Sequence, residues 1–314
     1  MKKVGLKLQG NIECITGKKK ANLFKRIFRA RWCYLGILPT VALLAVFRLY
    51  PAIDGILKSF FNWKKKNYFN PTFNGFDNYV TLFQDAEFWR SFLNLGIVIL
   101  AGFITTFVIN LVATYLVYKL GNKRSGRFFQ KAFVIPMMIP AMVGTMFWKF
   151  FYEYNDGLLN TILRGIGLEN LATVWLGNTH TALASIIFTG FPWVGGFAFL
   201  ILLAGFQGID RSLGESADLD GANAFVKFWK IDLPLVIPQM KILSIMGMIS
   251  GIQAYDMHMV LTQGQYGTMV PGLYMYQTAF THGNYGYASA MGVFLFLIIL
   301  IITILQNKFI VKAD

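Results

Sequence analysis

Long apolar runs, separated by shorter polar and basic segments, dominate the pattern along the chain. An apolar stretch of about 18 or more residues is long enough to cross a bilayer as a helix. The pattern predicts six spans, over residues 32–61, 91–118, 131–152, 181–206, 235–257 and 286–306. Lipid admits only helices or closed barrels, and these runs are too long and too uniformly apolar for barrel strands. We therefore expect an all-α polytopic membrane bundle of six helices.

Composition agrees with this class and excludes others. Of the 314 residues, 55% are hydrophobic and 14% are charged, whereas soluble domains carry roughly 25% charged residues. The net charge of +14 lacks a soluble basic domain to carry it, so nucleic acid is not an expected partner. Cys14 and Cys33 fit no zinc or redox spacing. No metal or cofactor is therefore expected on this chain.

The N-terminal segment, residues 1–31, is strongly basic. It holds ten Lys or Arg and one acidic residue, Glu13. Leu23, Phe24, Ile27 and Phe28 recur at helical spacing between basic residues, which is typical of an interfacial helix lying on anionic lipid. Two regions follow from this pattern: a basic segment over 1–31 and a membrane domain over 32–314.

Basic residues also predict the orientation of the chain. The N-terminal segment, the tail and the loops after the second and fourth spans hold 20 of the 29 Lys and Arg. No Lys or Arg lies between Lys241 and Lys308. Because basic residues mark cytoplasmic loops, both termini and residues 207–234 are predicted to be cytoplasmic. The run Lys64–Lys66 falls on the outside, against this trend.

The polar segment after the fourth span is unusual for so apolar a chain. It reads GESADLDGANAFVKFWKIDLPLVIP over residues 214–238. Acidic residues come early and Lys227 and Lys230 come late, which suits a helix dipole. Gly221 weakens a continuous helix by about 1 kcal/mol relative to Ala. The pattern favours two short helices with a turn near Gly221, and its composition suits a docking element and an ordinary surface loop equally well.

The same segment resembles the EAA loop of ABC importer permeases, whose pattern is E-A-A-x3-G-x9-I-x-L-P. The matching residues are Glu215, Ser216, Ala217, Asp220, Gly221, Ile231, Leu233 and Pro234. One position departs from the pattern, where Ser216 replaces the middle alanine. Further on, YDMHMVLTQG, YQTAF and YGYASA resemble the MalF-like sugar-permease branch.

The resemblance implies the type I importer permease fold, in the cell membrane of a prokaryote, and a set of partners. The EAA loop would be a coupling helix in a groove of a cytoplasmic ATPase dimer, which holds ATP and Mg. Glu215 would pair with a basic residue of the ATPase, while Ala217 and Gly221 would allow close approach. One EAA loop against two grooves implies a second permease subunit, expected to be a paralogue, and an extracytoplasmic binding protein would deliver the solute. The chain has no Gly-x4-Gly-Lys-Ser/Thr phosphate loop, so it is not expected to hydrolyse ATP.

Two stretches inside the predicted spans are candidates for solute contacts. TGFPW supplies Thr189, Gly190 and Trp193, and SGIQAYD supplies Gly251, Gln253, Tyr255 and Asp256. Both coincide with positions of substrate contacts in the resembled branch, and polar groups within spans are commonly functional. Small residues at Gly247 and Gly251 favour a wide cavity and an oligosaccharide. The alternatives are a packing role for Trp193 and a helix crossing at Gly251.

Other functions remain open from the sequence. The permease could carry a polar solute other than a carbohydrate. An ion-coupled secondary carrier would usually show intramembrane Asp, Glu or His and internal repeats, and neither is visible in the sequence. A membrane enzyme would need a cluster of reactive side chains within the spans, whereas Asp256 and His258 form only the nearest pair.

Overall fold

The computed structural model describes residues 31–121 and 123–310, which are mostly helical. The predicted interfacial helix within 1–31 lies outside the described residues, apart from Arg31. The helices are α1 (Arg31–Leu44), α2 (Tyr50–Lys58), α3 (Asp77–Gln84), α4 (Ala86–Ile104), α5 (Leu111–Leu120), α6 (Arg124–Val134), α7 (Ala141–Phe151), α8 (Leu158–Gly165), α9 (Ala182–Phe188), α10 (Gly196–Gln207), α11 (Arg211–Leu219), α12 (Ala224–Lys227), α13 (Leu233–Gln253), α14 (Asp256–Leu261), α15 (Pro271–Tyr276) and α16 (Tyr285–Ile310). Strands β1 (Phe61–Asn62) and β2 (Thr72–Phe73) form an antiparallel hairpin.

Wide π-turns join several helices into longer ones. They cover Ala45–Leu49 between α1 and α2, Thr105–Asn110 between α4 and α5, and Phe228–Asp232 between α12 and α13. The first turn ends at Leu49, two residues before Pro51, which has no N–H to donate to the preceding turn and so disfavours a regular helix there. Short 3₁₀ turns lie at Lys65–Asn67, Ile135–Met138 and Glu169–Leu171, and a fourth π-turn, Gln277–Thr281, follows α15.

Four of the predicted spans are helices long and apolar enough to cross a membrane. They are Tyr34–Lys58, Ala86–Leu120, Ala224–Leu261 and Tyr285–Lys308. Two bent pairs raise the number to six among the described residues if each pair counts as one span: Arg124–Met138 with Ala141–Phe151, and Gly196–Gln207 with Arg211–Leu219. The all-α architecture is therefore confirmed, with four to six candidate membrane helices among the described residues.

The third and fourth predicted spans are not continuous helices. Within 131–152 the chain bends by 94° between the 3₁₀ turn and α7, where Pro136 and Pro140 remove backbone donors. Within 181–206, α9 stops at Phe188, and α10 does not begin until Gly196. The intervening segment contains Gly190 and Gly195, both at positive φ.

Three regions expected as loops contain regular structure. The basic loop after the second span holds α6, and the segment over 62–90 holds the hairpin and α3. The Gly- and Tyr-rich loop over 258–285 holds α14 and α15 and buries several side chains, among them His258, Leu261 and Leu273. In the segment over 258–285, tertiary burial of apolar residues such as Leu261 and Leu273 outweighs the local preference for turns.

The chain forms two compact units, one up to Leu57 and one from Lys58 onward. In the second unit, Leu111, Leu202, Phe206, Val236 and Leu243 form an apolar cluster that joins α5, α10 and α13. A second cluster joins α4, α13 and α16. The segment over 207–234 is therefore continuous with helices that share one core.

Candidate functional site

The EAA-like segment, residues 207–234, folds as two capped helices. The Asp210 carboxylate accepts the backbone N–H of Ser212 at 3.0 Å and begins α11. That hydrogen bond holds the pKa of Asp210 below its usual range. Asn223 begins α12 in the same way, because its side-chain oxygen accepts the N–H of Val226 at 2.9 Å. Both caps satisfy donors that a helix N-terminus leaves unpaired.

The turn between the two helices depends on Gly221. Its φ is +72°, a conformation that costs a residue with a Cβ about 1–2 kcal/mol. A Cβ placed there would meet no atom within 4 Å, so the constraint comes from the backbone and not from crowding. The predicted helix–turn–helix shape with its turn near Gly221 is confirmed.

Contacts within the segment hold its two helices together. The Lys227 ammonium on α12 forms an ion pair with Asp218 on α11 and donates to the Gly214 carbonyl at 3.4 Å. Ala217 is only 7% exposed, so its small side chain lies on the face of α11 that packs against the rest of this chain. The expected role of Ala217 in close approach to the ATPase stays a prediction.

The outer surface of the segment combines acidic and large apolar side chains. Glu215, Ser216, Asp220 and Gly221 are exposed. Leu219 is 91% exposed and Phe225 is 71% exposed. Apolar side chains grouped on a surface with charged neighbours commonly mark a protein interaction site.

A buried carboxylate ties the segment to the second span. Asp232 is only 6% exposed. Its Oδ2 accepts a hydrogen bond from the Tyr115 hydroxyl at 3.0 Å and lies 3.0 Å from the Lys119 ammonium. Both partners lie on α5, and the Tyr115 ring also packs on Phe228 with centroids 4.6 Å apart. The EAA-like segment is therefore bound to α5 by a hydrogen bond, an ion pair and an aromatic contact.

The remaining EAA-like residues lie where the segment enters α13. Leu233 packs partly into the α5–α10–α13 cluster, Ile231 is half-buried, and Pro234 is exposed in the first turn of the helix. A cleft of about 260 Å³ opens between this region and α5. Its lining includes Tyr118, Lys119, Arg211, Glu215 and Ile231.

The first predicted solute stretch lies in the irregular segment between α9 and α10. Trp193, at φ +57°, donates its indole N–H to the Ile187 carbonyl at 3.2 Å. Its ring meets Phe188 and Phe191 edge to face, with centroids 5.2 and 5.0 Å away. Thr189 is half-buried and donates to the Ser185 carbonyl at 3.1 Å, and Gly190 is exposed. Exposed aromatic rings are thus concentrated at a break in an apolar region.

Asn110, which the sequence reading missed, supports that break. Its side-chain amide donates to the Gly195 carbonyl at 3.2 Å and accepts the Gly195 N–H at 3.4 Å. A Cβ on Gly195 would lie 2.2 Å from the Phe133 carbonyl oxygen. The clue in the sequence was a lone Asn within an apolar run, which is costly in a span unless it is hydrogen-bonded.

The second predicted stretch lies at the end of α13. Gln253 and Asp256 are exposed, and Tyr255 stacks on Tyr276 with centroids 5.2 Å apart. A Cβ on Gly251 would lie 2.9 Å from Ile99, so Gly251 forms the helix crossing between α13 and α4. A Cβ on Gly247 would meet no atom within 4 Å, so this side of α13 is open.

The two predicted stretches belong to neighbouring elements. Helix α14, which begins at Asp256, packs against both α9 and α7. The His258 ring on α14 is buried, with Nδ1 2.9 Å from the Thr268 carbonyl oxygen. This contact fixes the loop after α14, so His258 has a structural partner in the Thr268 backbone.

A tyrosine–aspartate cluster, also missed by the sequence reading, fixes the start of α4. Asp85 caps the helix and accepts hydrogen bonds from the hydroxyls of Tyr274 at 2.9 Å and Tyr287 at 2.6 Å. Burial acts to raise the pKa of Asp85, but these hydrogen bonds and those from the backbone lower it overall. Burial and the nearby carboxylate raise the pKa of Tyr274. The cluster joins α4, α15 and α16.

Comparisons with known proteins agree with this architecture. Residues 111–312 match the family described as binding-protein-dependent transport system inner membrane component. The multiple sugar-binding transport system permease protein MsmF of Streptococcus mutans is 30% identical over 90% of this chain and 97% of its own length. The trehalose/maltose transport system permease protein MalF of Thermococcus litoralis is 30% identical over 89% of this chain and 93% of its own.

A solved structure has the same fold. The crystal structure of a bacterial ABC transporter involved in the import of the acidic polysaccharide alginate includes a chain that aligns with a TM-score of 0.80 and 25% identity, over 93% of this chain and 99% of that one. The type I ABC importer permease fold is thereby confirmed. The chain belongs to the family of inner membrane components of binding-protein-dependent transport systems.

Proposed function

We propose that this chain is the permease subunit of an ATP-driven importer and forms half of a translocation path for a carbohydrate of oligosaccharide size. The observation that carries the proposal is the EAA-like segment: two short helices around Gly221, with an acidic and apolar outer surface, bound through Asp232 to the second span. An extracytoplasmic binding protein delivers the solute, and a cytoplasmic ATPase dimer with ATP and Mg supplies the energy.

The outer surface of the EAA-like segment suits a groove in another protein. Glu215 is exposed on α11 and is available to a basic residue of the ATPase, while Leu219 and Phe225 supply apolar contact area. A few buried anchors, commonly aromatic, carry most of the binding energy in protein interfaces, which favours Phe225 as the main contact. The Lys227–Asp218 pair keeps α11 and α12 together. The ATPase would therefore bind the two helices as one rigid unit.

Closure of the ATPase dimer would then move the EAA-like segment together with the spans that contain α5 and α13. Asp232 connects the segment to Lys119 and Tyr115 on α5, and the chain itself continues into α13. Both helices contribute to the same apolar cluster. We expect them to move as a unit, which switches the path between inward-facing and outward-facing states. Each permease provides one such segment, so a second permease subunit completes the path.

Carbohydrate is favoured as the solute class by the relatives and by local chemistry. The relatives named for sugars align over nearly the full chain. Sugar sites combine aromatic faces with a few placed polar groups, and the break around Trp193 offers clustered rings beside Thr189. Gln253 and Asp256 add exposed polar groups on a neighbouring element.

Reconstitution of the whole importer in proteoliposomes tests the coupling role. With Glu215→Ala combined with Gly221→Leu, we expect loss of transport together with loss of solute-stimulated ATPase activity. Glu169→Ala is the matched control, because Glu169 is an exposed glutamate on a separate 3₁₀ turn. Retained transport in the double variant would contradict the docking role. Uptake driven by a proton gradient without ATP would instead indicate a secondary carrier.

The same preparation tests the solute path. Trp193→Ala and Gln253→Ala should lower the response of the ATPase to the binding protein loaded with solute, and leave basal ATPase activity and assembly unchanged. Trp89→Ala is the control, since Trp89 also donates its indole N–H to a backbone carbonyl, that of Phe83 at 3.3 Å. An unchanged solute response in both variants would remove these residues from the path. Stimulation of the ATPase by a non-carbohydrate solute, with no stimulation by carbohydrates, would contradict the proposed solute class.

A further inference from the structure

The hairpin of β1 and β2 is fastened to the first turn of the last span. The Gly286 N–H donates to the Trp63 carbonyl at 2.8 Å, and the Lys65 N–H donates to the Gly283 carbonyl at 2.7 Å. The Trp63 ring packs on Tyr285 with centroids 4.9 Å apart. Because α16 is a membrane span that begins at Tyr285, these contacts place the hairpin at a membrane surface.

Three consecutive lysines occupy the turn of this hairpin. The turn is rigid: the Asn67 side chain accepts the Lys64 N–H at 2.7 Å and donates to the Asn62 carbonyl at 2.6 Å. Lys65 and Lys66 are exposed and Lys64 is half-buried. Within the described part of the chain, none of the three forms an ion pair. Their charge is therefore available to a partner outside the chain.

The Lys65 side chain packs against Gly283. A Cβ on Gly283 would lie 2.8 Å from the Lys65 Cβ, so the aliphatic stem of Lys65 packs over the bare backbone of Gly283. Gly283 also has a φ of +67°, which favours glycine. Packed stems with solvated ammonium groups are typical of lysines that extend towards a membrane surface.

Large aromatic side chains stand beside the lysines with little cover. Phe69 is 90% exposed, and Phe73 and Phe76 are also exposed. Such a patch is costly in water but is favoured at a bilayer surface, where Phe side chains of interfacial elements insert into the boundary between headgroups and acyl chains. Cations and exposed aromatic rings next to the end of a span thus meet the two requirements of a lipid contact, charge attraction and apolar insertion.

We propose that the hairpin surface, defined by Lys64–Lys66 with Phe69 and Phe73, binds the headgroups of anionic phospholipids at the membrane surface. Three lysines on the predicted outer side run against the general distribution of basic residues in membrane proteins, and a role in holding acidic lipid accounts for them. Lipid is favoured over a protein partner because the hydrogen bonds to α16 hold the surface at headgroup depth.

A fluorescent label next to the lysines tests this in the full chain. Cys14 and Cys33 are replaced by Ser, Asn70→Cys is labelled with bimane, and the protein is placed in nanodiscs that contain either brominated phosphatidylglycerol or brominated phosphatidylcholine in equal amounts. Asn70 is exposed next to Phe69. Ile301→Cys, labelled in the middle of α16, where Ile301 is exposed, calibrates the total access to lipid.

The expected result is stronger quenching by the anionic lipid at residue 70, with an enrichment on the order of five-fold, the effect of about one fully effective lysine at the surface. The variant Lys64→Gln/Lys65→Gln/Lys66→Gln should abolish that preference. The charge-matched variant Lys123→Gln/Arg124→Gln/Arg127→Gln should keep it. Equal quenching by both lipids would overturn the proposal, and so would an absence of quenching by either, which would indicate a surface in water that is open to a protein partner.

Discussion

Asp232 and Lys119 form an asymmetric ion pair, and the two halves of the pair should not be equally costly to remove. The Asp232 side chain is 8% exposed, whereas the Lys119 side chain is 43% exposed. Lys119→Met leaves a buried carboxylate with one remaining partner, the Tyr115 hydroxyl at 3.0 Å. Breaking a fully buried pair in this way destabilises by about 3–5 kcal/mol, and the partial exposure of Lys119 places this pair at the lower end of that range.

Asp232→Asn should cost much less. It keeps a side-chain oxygen that can accept from Tyr115, and the ammonium left behind can be hydrated, because Lys119 is already partly in water. We expect a loss of about 1–2 kcal/mol, the size of one weakened hydrogen bond. The double variant should be no less stable than Lys119→Met, because removal of both charges leaves no buried carboxylate.

Thermal unfolding of the full chain in nanodiscs measures this order. The lowest apparent Tm should belong to Lys119→Met, on the order of 10 °C below that of the unchanged protein. The apparent Tm of Asp232→Asn should be only a few degrees below that of the unchanged protein. The double variant should recover part of the difference, the signature of two residues that act through each other. A larger loss for Asp232→Asn than for Lys119→Met, or additive losses in the double variant, would refute the view that Lys119 compensates a buried charge.

Three further predictions concern single positions. Gly221→Ala should weaken the association with the ATPase through about 1–2 kcal/mol of backbone strain at φ +72°. Co-purification measures this association, and unchanged recovery of the ATPase would argue against a role of the turn in docking. Gly251→Leu should lower the apparent Tm because its side chain would meet Ile99, whereas Gly247→Leu should not, since that position is open; equal effects would count against the helix crossing. The pKa of Asp85 lies below its ordinary value, so the contribution of Asp85 to stability is present above the unfolded-state pKa of about 4 and is lost as the pH falls through the folded-state value. Asp85→Asn should therefore show a shallower acid loss of stability than the unchanged protein, and identical pH profiles would contradict the cluster.

The sequence predicted the architecture well where hydrophobic length alone decides it. The spans over Tyr34–Lys58, Ala86–Leu120, Ala224–Leu261 and Tyr285–Lys308 follow from uninterrupted apolar runs, and the turn at Gly221 follows from glycine in a short polar helix. Their boundaries were approximate, as for α4, which begins at Ala86 because the Asp85 carboxylate caps it there. A pattern of apolar residues does not reveal such a cap when the helix starts with polar side chains.

Long-range contacts could not be predicted. Nothing in the local pattern pairs Asp232 with Lys119, which lies 113 residues earlier, or Asn110 with Gly195. Ala217 matched a family pattern but its burial depends on the three-dimensional packing of α11, and Gly251 proved to be a crossing point because Ile99 lies opposite. The buried loop over 258–285 was missed since its glycines and tyrosines read locally as turns.

The most direct test of the proposed docking role is affinity purification of the tagged chain from its native membranes in mild detergent, with mass spectrometry of what co-purifies. We predict recovery of an ATPase with a phosphate loop and of a second permease with its own EAA loop. The Glu215→Ala/Gly221→Leu variant should lose the ATPase and keep the second permease. A chain that is recovered alone, under conditions that preserve other ABC complexes, would contradict the assignment of residues 207–234 as the coupling element.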